Sequence, residues 1–81
     1  MKLGKVIGNV VSSKKVDELM GMKLLTVELL YTSKKEVIVA IDKVGAGIGD
    51  VVIVTLGSAS GNAFDKPRPI DATIVGIADN L

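Results

Sequence analysis

From Lys23 to Leu30 the side chains alternate: Leu25, Val27 and Leu29 fall on one side of an extended chain, Thr26 and Glu28 on the other. A period of two predicts a β-strand. Leu24 and Leu30 share the second side, which is therefore not cleanly polar. The polar run Tyr31–Glu36 has the length of a hairpin connection, and a second strand follows from Glu36 to Asp42. An earlier strand is predicted over Lys2–Val11, where β-branched Val6, Ile7, Val10 and Val11 favour extended chain. Gly4 and Gly8 interrupt it, and mark a bend, a bulge, a close backbone approach or a weak edge strand. Ser12–Met22, carrying Lys14, Lys15, Asp17 and Glu18, reads as a solvated loop. The final strand is predicted over Pro69–Asp79, after the stiff lead-in Asp65-Lys66-Pro67-Arg68-Pro69.

The stretch Val37–Ser60 organises the rest. It contains two strongly apolar strands joined by Val44-Gly45-Ala46-Gly47-Ile48-Gly49-Asp50, and it ends in very small side chains. In its first strand Val37, Val39 and Ile41 face one way, Ile38 and Ala40 the other. In its second, Val51 and Ile53 oppose Val52, Val54 and Leu56. An antiparallel strand with one wet face should be polar on that face, and these are apolar on both. No long amphipathic helix is available as a cover, so the expected cover is a neighbouring copy, with Ile38, Ala40, Val52, Val54 and Leu56 as candidate interface residues. Gly45, Gly47, Gly49 and Gly57 are read as tight-turn positions that need φ > 0 or allow close backbone contact. Ser58, Ala59 and Ser60 are candidates for the axis of a ring, where small side chains let several copies approach. Ser58 is also the candidate N-cap of a short helix running toward Phe64.

Composition sharpens this picture. The chain has 81 residues, 48% of them hydrophobic, and a mean hydropathy of +0.49. One domain, 1–81, of this size buries only about 60–65% of the surface of its unfolded chain. So much Val, Ile and Leu exceeds what a small private core hides, and burial at about 25 cal/mol per Å² favours association. A net charge of +1 gives no electrostatic case for nucleic acid or an anionic membrane. With neither cysteine nor histidine, thiol chemistry, thiolate metal sites and the usual general base are missing. There is no signal-peptide pattern and no apolar run approaching the ~20 residues of a membrane span, so the expectation is a cytoplasmic protein.

Three chemistries were weighed against assembly. The glycine run is spaced G-x-G-x-G, lacks a following Lys-Ser or Lys-Thr, and leads into a strand instead of a helix, so it does not read as a phosphate loop. Ser58 and Ser60 have no base to activate them, and no enzymatic activity and no cofactor are expected. Asp42, Asp50, Asp71 and Asp79 form no calcium-type loop, and Asp42, Asp50 and Asp79 read as strand ends or turn caps. The alternative function is a barrel binding single-stranded nucleic acid, for which Tyr31 and Phe64 are the only aromatics on offer.

About five short strands with glycine-marked corners and one short helix predict an all-β, five-stranded barrel of the oligonucleotide/oligosaccharide-binding type. Several blocks then resemble the EutN/CcmL family, the vertex proteins of bacterial microcompartment shells. They are Gly4-Lys5-Val6-Ile7-Gly8-Asn9-Val10-Val11, Gly21-Met22-Lys23-Leu24-Leu25-Thr26-Val27, Ala40 through Val52, Gly57-Ser58, and Pro69 through Asp79. The resemblance implies a cyclic pentamer capping the five-fold corners of a carboxysome-like shell in the cytoplasm. It implies itself and hexameric shell proteins as partners, a narrow axial pore, and neither nucleic acid nor membrane. A contact joining one face of the barrel to a different face of the next copy closes into such a ring.

Overall fold

The computed structural model describes residues 1–57 and 70–80. Five strands form a closed barrel: β1 (Lys2–Val10), β2 (Lys23–Leu29), β3 (Val37–Asp42), β4 (Val51–Leu56) and β5 (Ala72–Ile77). Around the barrel the order is β1-β2-β3-β5-β4, with β4 returning to β1. All pairings are antiparallel except β3 with β5. Closure gives every strand a neighbour on both sides, although β3 meets β5 only at Ile41 and Asp42. The segment read as a loop contains one 3₁₀ turn, Asp17–Leu19, which buries none of its residues. The predicted helix after Ser58 lies outside the described residues. The last strand is shorter than predicted, although the Gly57 amide still donates to the Asp71 carbonyl and the Ala78 amide to that of Val51.

Alternation in β2 holds: Leu25, Val27 and Leu29 point inward and are buried. Leu25 and Val27 share one core cluster with Val6 from β1, Ala40 from β3, Val52 and Val54 from β4, and Ala72 and Ile74 from β5. Ala46, from the connection between β3 and β4, joins the same core, and Ile38 and Leu56 pack against it. The cross-strand pair Leu25–Ala40 sets a large residue opposite a small one, which suits the narrow interior of a five-stranded barrel.

Both glycines of β1 have identifiable tasks. A Cβ on Gly4 would overlap Val27 Cγ1 and lie 3.2 Å from the Glu28 carbonyl oxygen, so β1 and β2 meet there only because Gly4 has no side chain. Between Val6 and Gly8 the β1–β2 register shifts, a bulge that bends β1 away from β2. At the same place β1 picks up the glycine connection: the Gly49 amide donates to the Val6 carbonyl at 2.8 Å, and the Val6 amide to that of Asp50 at 2.9 Å.

Candidate assembly surfaces

The connection from Lys43 to Asp50 is held by a carboxylate. Asp42 ends β3 with its side chain only 3% exposed. Its Oδ1 accepts the amides of Val44 (3.0 Å) and Gly45 (3.2 Å); its Oδ2 accepts those of Gly45 (3.1 Å) and Ala46 (2.9 Å). Lys23, on the neighbouring β2, places Nζ 3.6 Å from Oδ2 and donates to the Ala46 carbonyl at 2.7 Å. Asp50 closes the other end, its Oδ2 accepting the Gly47 amide at 2.9 Å. Asp42 and Asp50 thus serve as turn caps. Among the described residues no cluster of three or more acidic side chains is arranged to hold a metal ion.

This clamp needs left-handed backbone at Gly45 (φ 86°) and Gly49 (φ 95°). Gly57 has it too, at φ 70°. Gly47 is the exception and corrects the expectation: its φ lies outside the left-handed region, and the nearest atom to an added Cβ is an Asp50 oxygen at 3.9 Å. The result is a rigid loop that sends Ala46 into the core and leaves Ile48 64% exposed. Ser58, Ala59 and Ser60 lie outside the described residues.

The candidate interface residues need a larger correction. Ala40, Val52 and Val54 are fully buried within the single barrel, and Ile38 and Leu56 pack against its core. A closed barrel takes one face of every strand for its interior, and in β3 and β4 it takes the face that had been assigned to a neighbour. The opposite face is what remains for a partner. On β3 this is Val37 (45% exposed) and Val39 (51%), set beside Glu28 and Thr26 of β2. Next to Val39, an apolar groove of about 190 Å³ runs between Leu24, Ile41 and Ile70. A second apolar strip lies across β1 and β4, where Ile53 pairs with Leu3 on one side and Gly76 on the other, with Val51 two residues before it. Leu3, Val51 and Ile53 are half-buried.

The profile of the family described as "Ethanolamine utilisation protein EutN/carboxysome" matches residues 1–79. The chain belongs to the EutN/CcmL family. Among its relatives, the microcompartment shell vertex protein GrpN of Rhodospirillum rubrum is 45% identical, with all of this chain and 96% of GrpN covered. The carboxysome shell vertex protein CcmL of Synechocystis is 44% identical, covering all of this chain and 85% of CcmL. A solved structure titled as the pentameric microcompartment shell protein GrpN superposes with a TM-score of 0.88 over all of this chain and 95% of that one. In this EutN/CcmL barrel the two apolar outer strips lie on strands that are not neighbours, β3 for one and β1 with β4 for the other. Sequence reasoning missed Leu3, Val51 and Ile53 as surface residues, and it missed Lys23 as the second half of the Asp42 clamp. The available signal for Lys23 was a basic residue opening the strand beside the one that Asp42 closes.

Proposed function

We propose that this EutN/CcmL chain is a structural vertex subunit of a bacterial microcompartment shell, assembling as a homo-pentamer that caps five-fold corners in the cytoplasm. It would bind hexameric shell proteins at its rim and carry no catalytic role. The observation that carries this reading is the full-length similarity to vertex proteins, including a structure titled pentameric. The two apolar strips support it. A ring needs two different patches on each subunit, one for each neighbour. We assign the strip of Val37 and Val39 with its groove to one contact, and the strip of Leu3, Val51 and Ile53 to the other. Fully burying a valine is worth about 1.5–3 kcal/mol, so half-exposed Val37 and Val39 together contribute about 2 kcal/mol per contact. Ser58, Ala59 and Ser60 are placed at the axis, lining a narrow pore.

Native mass spectrometry tests the assignment. Wild type is expected as five-subunit rings, and Val39→Glu and Ile53→Glu each as monomers. Mixing the two variants is the decisive step, because the intact strip of one then meets the intact strip of the other. The mixture should give dimers that do not grow further. Rings surviving either substitution, or a mixture that stays monomeric, would overturn the pairing of strips. An undisturbed ring in Ala59→Trp would remove that residue from the axis.

A further inference from the structure

The loop between β2 and β3 forms an open polar cleft of about 540 Å³, whose lining is Lys2 together with residues 31–36. Three lysines, Lys2, Lys34 and Lys35, line it against one acidic residue, Glu36. Its balance of +2 exceeds the +1 of the whole chain, so everything outside it is net negative. The loop is tied at both ends: the Leu29 amide donates to the Glu36 carbonyl at 2.9 Å, and the Leu30 amide to that of Leu3 at 2.9 Å. Within it, the Thr32 hydroxyl donates to the Lys34 carbonyl at 2.6 Å. Tyr31 opens the loop at φ 60°, a left-handed conformation that a bulky residue rarely takes, with 81% of its surface exposed. Non-glycine residues held in left-handed backbone cluster at ligand clamps and other functional sites.

We infer that this cleft binds a small, multiply charged oxyanion, of the phosphate or polycarboxylate kind. Its volume falls within the roughly 300–1,000 Å³ of small-molecule sites. Lysine ammoniums recognise such groups as movable point charges, and Ser33 and Tyr31, whose hydroxyls can donate directed hydrogen bonds, line the same cleft, while the Thr32 hydroxyl is taken up by the loop's own Lys34 carbonyl.

The chain has one tyrosine and no tryptophan, so intrinsic fluorescence reports from the edge of this cleft alone. We expect titration of the intact protein with inorganic phosphate, at ionic strength held constant with chloride, to change that fluorescence along a saturating curve. Neutralising two cleft cations (Lys34→Gln with Lys35→Gln) should raise the midpoint at least tenfold. The same charge loss outside the cleft (Lys14→Gln with Lys15→Gln) should move it less than twofold. Citrate in place of phosphate separates the two ligand classes, and saturation by either supports the site. Linear quenching without saturation by both anions, or equal weakening in both double variants, would overturn it. Circular dichroism of the variants, all at exposed or half-exposed positions, checks that the barrel is retained.

Discussion

Replacing Asp42 with alanine strips the glycine loop of the carboxylate that organises it, and the structure allows the cost to be worked out bond by bond. Three backbone amides lose an ionised acceptor: Val44, Gly45 and Ala46. Hydrogen bonds to charged groups are worth about 1.5–3 kcal/mol where water cannot replace them. The Val44 and Gly45 amides lie at the surface, so water recovers most of their loss, leaving about 0.5 kcal/mol each. The Ala46 amide is partly buried, next to a side chain in the core, and keeps most of the full penalty. The sum is about 2–4 kcal/mol, a large part of the roughly 4–12 kcal/mol expected for a chain of this length. Lys23 matters less. Its side chain is 52% exposed, and half-solvated ion pairs contribute about 0–1 kcal/mol.

The ranking follows directly. Asp42→Ala should lower the melting temperature by about 10–25 °C, Asp42→Asn, which keeps one acceptor oxygen, by about half as much, and Lys23→Met by a few degrees at most. Urea or thermal denaturation followed by circular dichroism measures this, at fixed subunit concentration because association couples to unfolding. Hydrogen exchange at the Gly45 and Ala46 amides should quicken in Asp42→Ala while amides of β2 change little. A loss below about 0.5 kcal/mol in Asp42→Ala would refute the reasoning. So would a double-mutant cycle in which Lys23 accounts for most of the Asp42 effect, since the clamp would then be an ion pair and not a cap.

Three further outcomes follow from the glycines and from Tyr31. Gly4→Ala should cost about 2–3 kcal/mol because Val27 and the Glu28 carbonyl leave no room for a methyl group, whereas Gly8→Ala, whose nearest neighbours are 3.8 Å away, should cost under about 1 kcal/mol; urea midpoints separate the two. Gly49→Ala should cost roughly 1–2 kcal/mol through its left-handed backbone, while Gly47→Ala in the same loop should lie within about 0.5 kcal/mol of wild type by the same assay. Tyr31→Gly should exceed Tyr31→Ala in stability by about 1 kcal/mol in thermal melts, since only glycine takes φ 60° without strain.

Much of the barrel was legible because local rules reach it. The alternation of Leu25, Val27 and Leu29 identifies core residues without any knowledge of neighbours. Gly4 and Gly8 announce trouble inside a strand, and the structure resolves it into a close approach at one and a bulge at the other. Asp42 before a glycine run reads as a turn cap and is one. The inside and outside of β3 and β4 were not legible, because Val37–Ile41 and Val51–Leu56 are apolar on both faces and parity carries no sign there. What decides it is long-range: Leu25 pairs with Ala40, and Val54 with Ile74, so closure turns those faces inward. The parallel pairing of Ile41 with Thr73 joins residues too far apart in the chain for any periodicity to register. Ile41, outward by parity, is nevertheless buried and shares its groove with Leu19 of the 3₁₀ turn and Ile70, just before β5.

The apolar excess of the chain and the closure of its barrel constrain each other. An open sheet with two greasy faces could extend itself by adding strands at its edges, and the product would be a fibril. Once β4 pairs with β1, every strand has a neighbour on both sides, and the sheet has no end strand on which further strands could be added. In the ring proposed above, association would run through side chains on the outer strips of β3 and of β1 with β4, and side-chain packing has a definite angle. Two unlike strips at a fixed angle on a rigid body generate a closed ring when the rotation divides the circle, and they stop growing when it does. The Asp42 clamp belongs to the same logic. By fixing Ala46 in the core and Gly49 against Val6, it ties β1, β2 and β3 to the loop that leads into β4, so both strips sit on one body instead of on parts that move separately. Loosening that clamp should therefore broaden the distribution of oligomers at temperatures where the subunit itself is still folded.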